Sequence, residues 1–187
     1  MNSQIKGMQK CVKSAILLCF CALSVNAETN KVPEPDNYRT ENYRASVPYS
    51  LIGATVIETP QALKQFMTLH DPLLIDVYPA PNKPDNLLKT TLWIEPRRET
   101  LPNALWLANV GHGIMPDSLI NLLKQNLPSD QAVVIFCEPN CWHSWNAAKR
   151  ALELGAQDVV WYRAGVTGWK EAGFALETHT PIRPFRP

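Results

Sequence analysis

Short apolar runs alternate along this chain with longer stretches whose apolar residues recur every three or four positions. Five runs are strand-like, at residues 54–57, 73–78, 104–107, 133–136 and 159–162, each too short for a helix of ordinary length. Between them the spacing becomes helical. Thr59-Pro60 offers an N-cap followed by proline at the first helical position, and Ala62, Leu63, Phe66 and Met67 then share a face. Residues 116–126 are amphipathic, with Leu119, Ile120, Leu122 and Leu123 on the inner side. After Cys141, the residues Trp142, Trp145, Ala148, Leu152 and Leu154 keep helical spacing up to Gly155, which suits a left-handed C-terminal cap. A shorter helix opens at Gly165 and ends near Gly173. Strands alternating with helices at such short intervals predict an α/β sandwich around a mostly parallel sheet, with right-handed crossovers.

Three segments stand outside the alternation. Residues 28–53 are polar, broken by Pro33, Pro35 and Pro48, and carry Tyr38, Tyr43 and Tyr49; they predict an extended arm whose tyrosines lie on the domain. Residues 79–100 are a long polar loop with Trp93, Arg97 and Arg98, of a length that is usually functional or packed as an irregular lid. The folded domain then covers 54–180, with 159–162 its last strand, and a proline-rich tail covers 181–187.

The N-terminus decides where the protein is expected to act. Lys6, Lys10 and Lys13 precede the apolar run 15–23, and Val25-Asn26-Ala27 provides the small-x-small pattern of a cleavage site. A secretory signal at 1–27, cut after Ala27, and a periplasmic location are expected. The apolar run is short for a membrane span, so no stable span is expected after cleavage. Cutting 27 of 187 residues would leave 160, enough for one domain with its own core. It would also remove three lysines and no acid, taking the formal charge from +1 to −2. Such a balance, with no basic block, leaves no electrostatic footprint for nucleic acid.

Cys11, Cys19 and Cys21 would leave with the signal, so the exported domain keeps Cys137 and Cys141. They bracket the tight turn between the strand at 133–136 and the following helix, where Pro139 and Asn140 stop the strand. Loop amides and a helix N-terminus at that place favour a thiolate. Three uses of the pair are open. Four residues apart, the cysteines can reach a Cα separation of about 6 Å and close as a disulfide. So small a ring adds little chain-entropy stabilisation, which favours redox or sulfur chemistry over a structural staple. As a dithiol, Cys137 would attack and Cys141 would resolve the mixed disulfide or persulfide. Glu138 opposes ionisation of its neighbour; His143 offsets this only by facing the loop, and a lone helical histidine is by default a surface residue. A zinc set of both cysteines, His143 and the distant His112 needs a tertiary coincidence, so no metal is expected. Covalent haem attachment is not expected either, because Trp142 stands where Cys-x-x-Cys-His would need its histidine.

The supporting residues follow the same weighing. Asp76, at the end of the second strand, is expected to accept from loop amides. Arg97 and Arg98 face solvent unless their loop closes over Cys137 and supplies positive charge. Trp142, Trp145, Trp161 and Trp169 are expected in the core, the alternative being an aromatic wall beside the thiols.

Leu74-Ile-Asp76-Val, Leu101-Pro-Asn-Ala-Leu, Val133-Val-Ile-Phe-Cys137 before an Ala-Ala helix, and Val160-Trp-Tyr-Arg-Ala-Gly-Val-Thr-Gly168-Trp169, in this order, resemble the rhodanese (sulfurtransferase-like) domain over roughly residues 54–177. The arm's Pro-Asp-x-Tyr-Arg and Tyr43-Arg44, the turn Asn109-Val-Gly111, and Cys141-Trp-x-Ser-Trp-Asn-Ala-Ala-Lys-Arg150 are similar to the PQQ-dependent-catabolism-associated CXXCW-motif proteins, although the spacing here is Cys-x-x-x-Cys-Trp. The resemblance implies a three-layer sandwich on a five-stranded sheet, a Cys137 persulfide, the strand-end acid at Asp76 and a C-terminal signature at Gly168-Trp169. It further implies a small sulfur-containing or thiol substrate, or a quinoprotein dehydrogenase or cytochrome c as partner; PQQ belongs to that setting and not to any residue of this chain. Active rhodaneses usually carry a basic residue early in the loop and an arginine near its end. Here Glu138 follows the cysteine and Trp142 and His143 stand at the loop's end, so the loop lacks the charge that thiosulfate wants. Asn140 stands where glycine is common and tolerates the left-handed conformation there.

Overall fold

The computed structural model describes residues 32–88 and 90–184. The signal-like stretch, with Cys11, Cys19 and Cys21, and the last three residues of the tail lie outside them.

The chain forms β1 (Thr55–Ile57), α1 (Pro60–His70), β2 (Leu73–Asp76), β3 (Arg98–Thr100), β4 (Leu105–Trp106), α2 (Asp117–Gln125), β5 (Val133–Phe136), α3 (Trp142–Glu153), β6 (Val159–Tyr162), α4 (Gly165–Glu171) and β7 (Glu177–His179). Five strands make one parallel sheet in the order β1-β6-β5-β2-β4. Its central strands are continuous apolar runs because both faces are covered. Along β5, Val133 and Ile135 pack to one side while Val134 and Phe136 pack to the other; Val159 and Trp161 of β6 oppose Val160 and Tyr162 in the same way. Leu122 and Leu123 of α2 and Trp145, Ala148 and Ala151 of α3 close the first face, and Leu63 of α1 and Val166 and Trp169 of α4 close the second. The expected three-layer α/β sandwich is the fold.

Local signals place the helices. Thr59 caps α1 by accepting from the Ala62 amide at 3.2 Å, with Pro60 in the first turn. Gly155, at φ 96°, follows α3 in the left-handed region that glycine enters at least cost.

Two expectations about strands need correction. Residues 79–100 do not remain a loop throughout: residues 98–100 are β3. Nor is 159–162 the last strand, because residues 177–179 are β7, antiparallel to β3 in a separate two-stranded ribbon. Neither run is apolar, so their pairing leaves no hydrophobic period to read; the ribbon forms because the tertiary fold brings the two polar segments together.

The arm packs on α3. Asn146, wholly buried, accepts from the Arg39 amide at 3.0 Å and donates to the Arg39 carbonyl at 2.8 Å and the Gly111 carbonyl at 3.0 Å. Trp142 Nε1 donates to the Ser46 carbonyl and Trp145 Nε1 to the Ser50 carbonyl. The Tyr38 hydroxyl bonds Glu153, and the Arg150 guanidinium stacks over the Tyr38 ring at 3.9 Å. Among the described residues, no helix is long and apolar enough to cross a membrane.

Candidate functional site

The loop between β5 and α3 begins at Cys137, where β5 ends at the carboxyl edge of the sheet, and finishes at Cys141, the N-cap of α3. Asn140 turns the chain at φ 52°, a conformation asparagine tolerates better than most residues. The turn brings the cysteines together as a disulfide with Cα atoms 6.5 Å apart. Both are buried, Cys137 at 0% and Cys141 at 1% exposure. Pro139 is half-buried and Asn140 exposed, so the outer tip of the loop reaches solvent while its sulfurs do not.

The Cys137 side is closed by α4 and by an ionic latch. The Val166 amide donates to the Cys137 carbonyl at 2.9 Å. Gly165 makes this approach possible: at φ 59°, a Cβ there would lie 2.6 Å from the same carbonyl oxygen. Glu138 turns its carboxylate away from the sulfur. Its Oε1 accepts from Arg98 Nη2 at 2.6 Å, and its Oε2 accepts from the Thr167 hydroxyl at 2.7 Å and the Thr167 amide at 3.1 Å. Arg98 Nε donates at 2.7 Å to Asp76, which also accepts from the Thr100 hydroxyl and the Tyr78 amide. Asp76 is fully buried; burial pushes its carboxyl up, and Arg98, Tyr78 and Thr100 pull it back. Arg98 is held above its ordinary range by Asp76 and Glu138 despite its own desolvation.

Arg98 therefore does not face solvent, as its place in a polar segment suggested. It is on β3, its guanidinium lies 4.0 Å from the Tyr78 ring centroid, and its charge is shared by two carboxylates. It does not restore the positive charge the loop lacks. Arg97 is exposed on the wall of a cavity of about 440 Å³ that Tyr78, Trp106, Glu138, Thr167 and Lys170 also line; neither sulfur reaches that wall.

The Cys141 side is closed by the arm. Arg44 forms an isolated antiparallel bridge with Cys141, and the Trp142 amide donates to the Tyr43 carbonyl at 2.9 Å. Trp142, at the loop's end, docks the arm, its Nε1 donating to the Ser46 carbonyl. His143 is not on the surface: at 4% exposure it is stacked on Tyr43 at 4.2 Å and meets His112 edge to face at 4.8 Å. Its Nδ1 lies 3.6 Å from Cys141 Sγ. Gly111 seals this contact, since a Cβ there would fall 2.4 Å from the His143 carbonyl oxygen. Burial, then His112 and Arg44, hold the His143 imidazole down to about 4, and burial lowers His112 as well. Among the described residues, no group of three or more His, Cys, Asp or Glu is placed to hold a metal ion.

The structure thus gathers Cys137, Glu138, Cys141, His143, Asp76 and Arg98 around one loop. Trp169 is elsewhere: on the other face of the sheet it packs on Phe174 and donates from Nε1 to the Ala175 carbonyl, anchoring the helix whose first turn meets the loop. Sequence reading gave no role to Thr100 and Thr167, and placed Tyr43 on the domain and His112 in a zinc alternative without seeing that both rings meet His143. Tyr43 lies in a recognisable motif, but nothing local signals that its ring covers a histidine a hundred residues away.

Residues 59–172, more than half of the chain, match the model of the rhodanese-like domain. The chain belongs to the rhodanese-like domain family. Among solved structures it is similar to the BH2092 protein of Bacillus halodurans, with 15% identity and a TM-score of 0.43, over 66% of this chain and 77% of that one. It is also similar to SseA of Escherichia coli, described as a 3-mercaptopyruvate sulfotransferase, with 13% identity and a TM-score of 0.48, over 70% of this chain and 53% of that one. No curated protein matches the chain. Membership in this family directs the chemistry to sulfur: sulfur transfer or thiol chemistry on sulfur-containing substrates.

Proposed function

We propose that Cys137 and Cys141 act together in thiol chemistry whose oxidised end point is the Cys137–Cys141 disulfide. One observation carries this: a second cysteine stands within bonding distance of the sulfur at the sulfurtransferase position, in a loop whose charged neighbours are already paired. Exchange with a disulfide suits such a loop better than capture of thiosulfate, because a neutral disulfide needs no oxyanion cradle. The same geometry would discharge a persulfide on Cys137. The Cys141 thiolate would bond to Cys137 Sγ, the bond from Cys137 to the outer sulfur would break, and that sulfur would leave as hydrosulfide.

The test is exchange of the chemically reduced protein with glutathione disulfide, followed by mass spectrometry. The expected result is a Cys137–Cys141 disulfide in the wild type and a stable glutathione adduct in one of the single-serine variants. A reduced wild type that does not exchange would overturn the reading.

Export to the periplasm and a place beside quinoprotein alcohol oxidation are part of the same proposal. They are supported by the signal-like N-terminus and by the resemblance of the arm and residues 141–150 to the CXXCW-motif proteins. PQQ would be held by the partner dehydrogenase, not by this chain. An exported form beginning at Glu28 that co-purifies with a quinoprotein or cytochrome c is the expected finding. A protein retained with residues 1–27 in the cytoplasm would overturn it.

The burial of both sulfurs favours a second reading, an accessory module with a structural bridge. The reduction potential separates the two: near −200 mV marks a labile pair, and below about −300 mV a structural one.

A further inference from the structure

Ser144, in the first turn of α3, is buried at 2% exposure. Its hydroxyl donates to the Cys141 carbonyl at 3.0 Å and accepts from Trp161 Nε1, also at 3.0 Å. A helical serine bonded to a carbonyl three residues back is ordinary. The second bond is not, because it ties that hydroxyl to the parallel sheet: Trp161, wholly buried, stands on β6 opposite Ile135 of β5. With one hydrogen to give and a buried indole N–H to accept, the hydroxyl has its rotor fixed on the Cys141 carbonyl.

That carbonyl belongs to the cysteine pair. Cys141, the N-cap of α3, makes no capping bond with its side chain, and its sulfur is joined to Cys137 instead. Cys137 Sγ lies 3.8 Å from the Cys141 carbonyl oxygen. At the other end of the loop, the Cys137 carbonyl accepts from the Val166 amide at 2.9 Å. Each cysteine is thus held through its own carbonyl by a donor from outside the loop. The anchor of Cys137 is backbone to backbone; the anchor of Cys141 hangs on one hydroxyl.

We propose that Ser144 is a positioning residue for the Cys137–Cys141 pair, and that with Trp161 it sets how strongly the pair favours the disulfide. This deepens the thiol-exchange reading and rests on it, since the poise of the pair has a use only where the bond is made and broken. When the bond is open, two cysteines whose carbonyls are pinned keep their separation and lose little freedom on closing again. Without the hydroxyl, the first residues of α3 are free to draw Cys141 away from Cys137. The open form gains that freedom and the closed form does not. Loss of Ser144 therefore shifts the equilibrium toward the dithiol.

The test brings the full-length protein to equilibrium in graded mixtures of reduced and oxidised dithiothreitol, from both the oxidised and the reduced side, with thiol trapping and mass spectrometry as the readout. Dithiothreitol is oxidised to its cyclic disulfide as the bond between Cys137 Sγ and Cys141 Sγ breaks, and its two protons pass through solvent to the two protein sulfurs. Ser144→Ala should ease reduction about tenfold, a rise of about 30 mV in the potential. Trp161→Phe keeps the hydroxyl but frees its rotor, and should ease reduction by about threefold. Leu63→Val, in the core on the opposite face of the sheet, should cost stability without moving the equilibrium. Should Ser144→Ala not fold, Trp161→Phe decides alone. The proposal is overturned if the deciding variant stays within about twofold of the wild type, if it favours the disulfide more than the wild type does, or if Leu63→Val moves the equilibrium as far. Failure of the thiol-exchange reading looks different: the dithiothreitol equilibria still differ among the variants, but the reduced wild type does not consume glutathione disulfide.

Discussion

The two ends of the Cys137–Cys141 loop are closed by different kinds of chemistry. Behind Cys137 stands a chain of charges, Asp76 to Arg98 to Glu138, finished by Thr167 on α4. Over Cys141 lies the arm, held by the amide of Asn146, the indoles of Trp142 and Trp145 and the stacked Tyr43–His143 pair. Charge pairs join elements of the domain that are already fixed by the sheet. Amide and aromatic contacts hold a segment with no regular structure of its own. The latch should therefore govern stability, and the arm should govern access to the sulfurs.

The sharpest way to break this division is Arg98→Ala. It strands the buried Asp76 without a counter-ion and frees Glu138, and removing one partner of a buried pair typically costs about 3–5 kcal/mol. Urea unfolding would measure it, and a loss below about 1 kcal/mol would mean that the latch is ornamental.

On the other side, Asn146→Ala removes the bonds to both backbone groups of Arg39 and to Gly111. An expected loss of about 1–3 kcal/mol follows from the buried groups left unpaired. The more telling readout is the rate at which dithiothreitol reduces the disulfide. It should rise in Asn146→Ala and not in a latch variant of equal stability; equal rates would erase the distinction between the two sides.

This division also explains how far the residues could be read in sequence. The parallel sheet was legible because its strands are buried on both faces and so appear as unbroken apolar runs. The helices were legible from Thr59-Pro60, from the Leu spacing of 116–126 and from Gly155. The pair at 137 and 141 was legible because a strand end and a helix start flank it. The latch was not, since Arg98 belongs to a ribbon with no apolar period and nothing in Glu138 tells which way its carboxylate turns. His143 was misplaced for a related reason: a polar residue in a helix is assigned outward by default, and here the arm, joined through a backbone bridge, and the turn at Gly111 and His112 bury it.

The buried imidazole leaves a mark on the pH dependence of stability. Its midpoint is lowered to about 4 in the folded protein, against about 6.5 when unfolded. Between these values the unfolded chain binds the proton and the folded one does not, so the stability His143 contributes is present above about 6.5 and is lost as pH falls toward about 4. His112, also lowered by burial, acts in the same sense. The slope of unfolding free energy against pH in that window should fall by about one proton in His143→Gln. An unchanged slope would show that the ring is protonated while stacked on Tyr43, and the arm would then be a looser cover than its contacts describe.

The smallest effect should come from the far end of the arm. Tyr38 bonds Glu153 and lies under Arg150 on the surface of α3. Its phenol is pushed up to about 12, first by partial burial and then by the Glu153 bond, so it stays a neutral donor throughout the ordinary pH range. Tyr38→Phe keeps the ring beneath Arg150 and removes only that donor. The expected cost is about 0.5–1 kcal/mol, with disulfide reduction unchanged, because Asn146 and the Arg44–Cys141 bridge still hold the part of the arm that covers the sulfur. If Tyr38→Phe speeds reduction as much as Asn146→Ala does, the arm lifts as one piece from its outer end. The cover over Cys141 would then be a single hinged strap, with Tyr38 as its clasp.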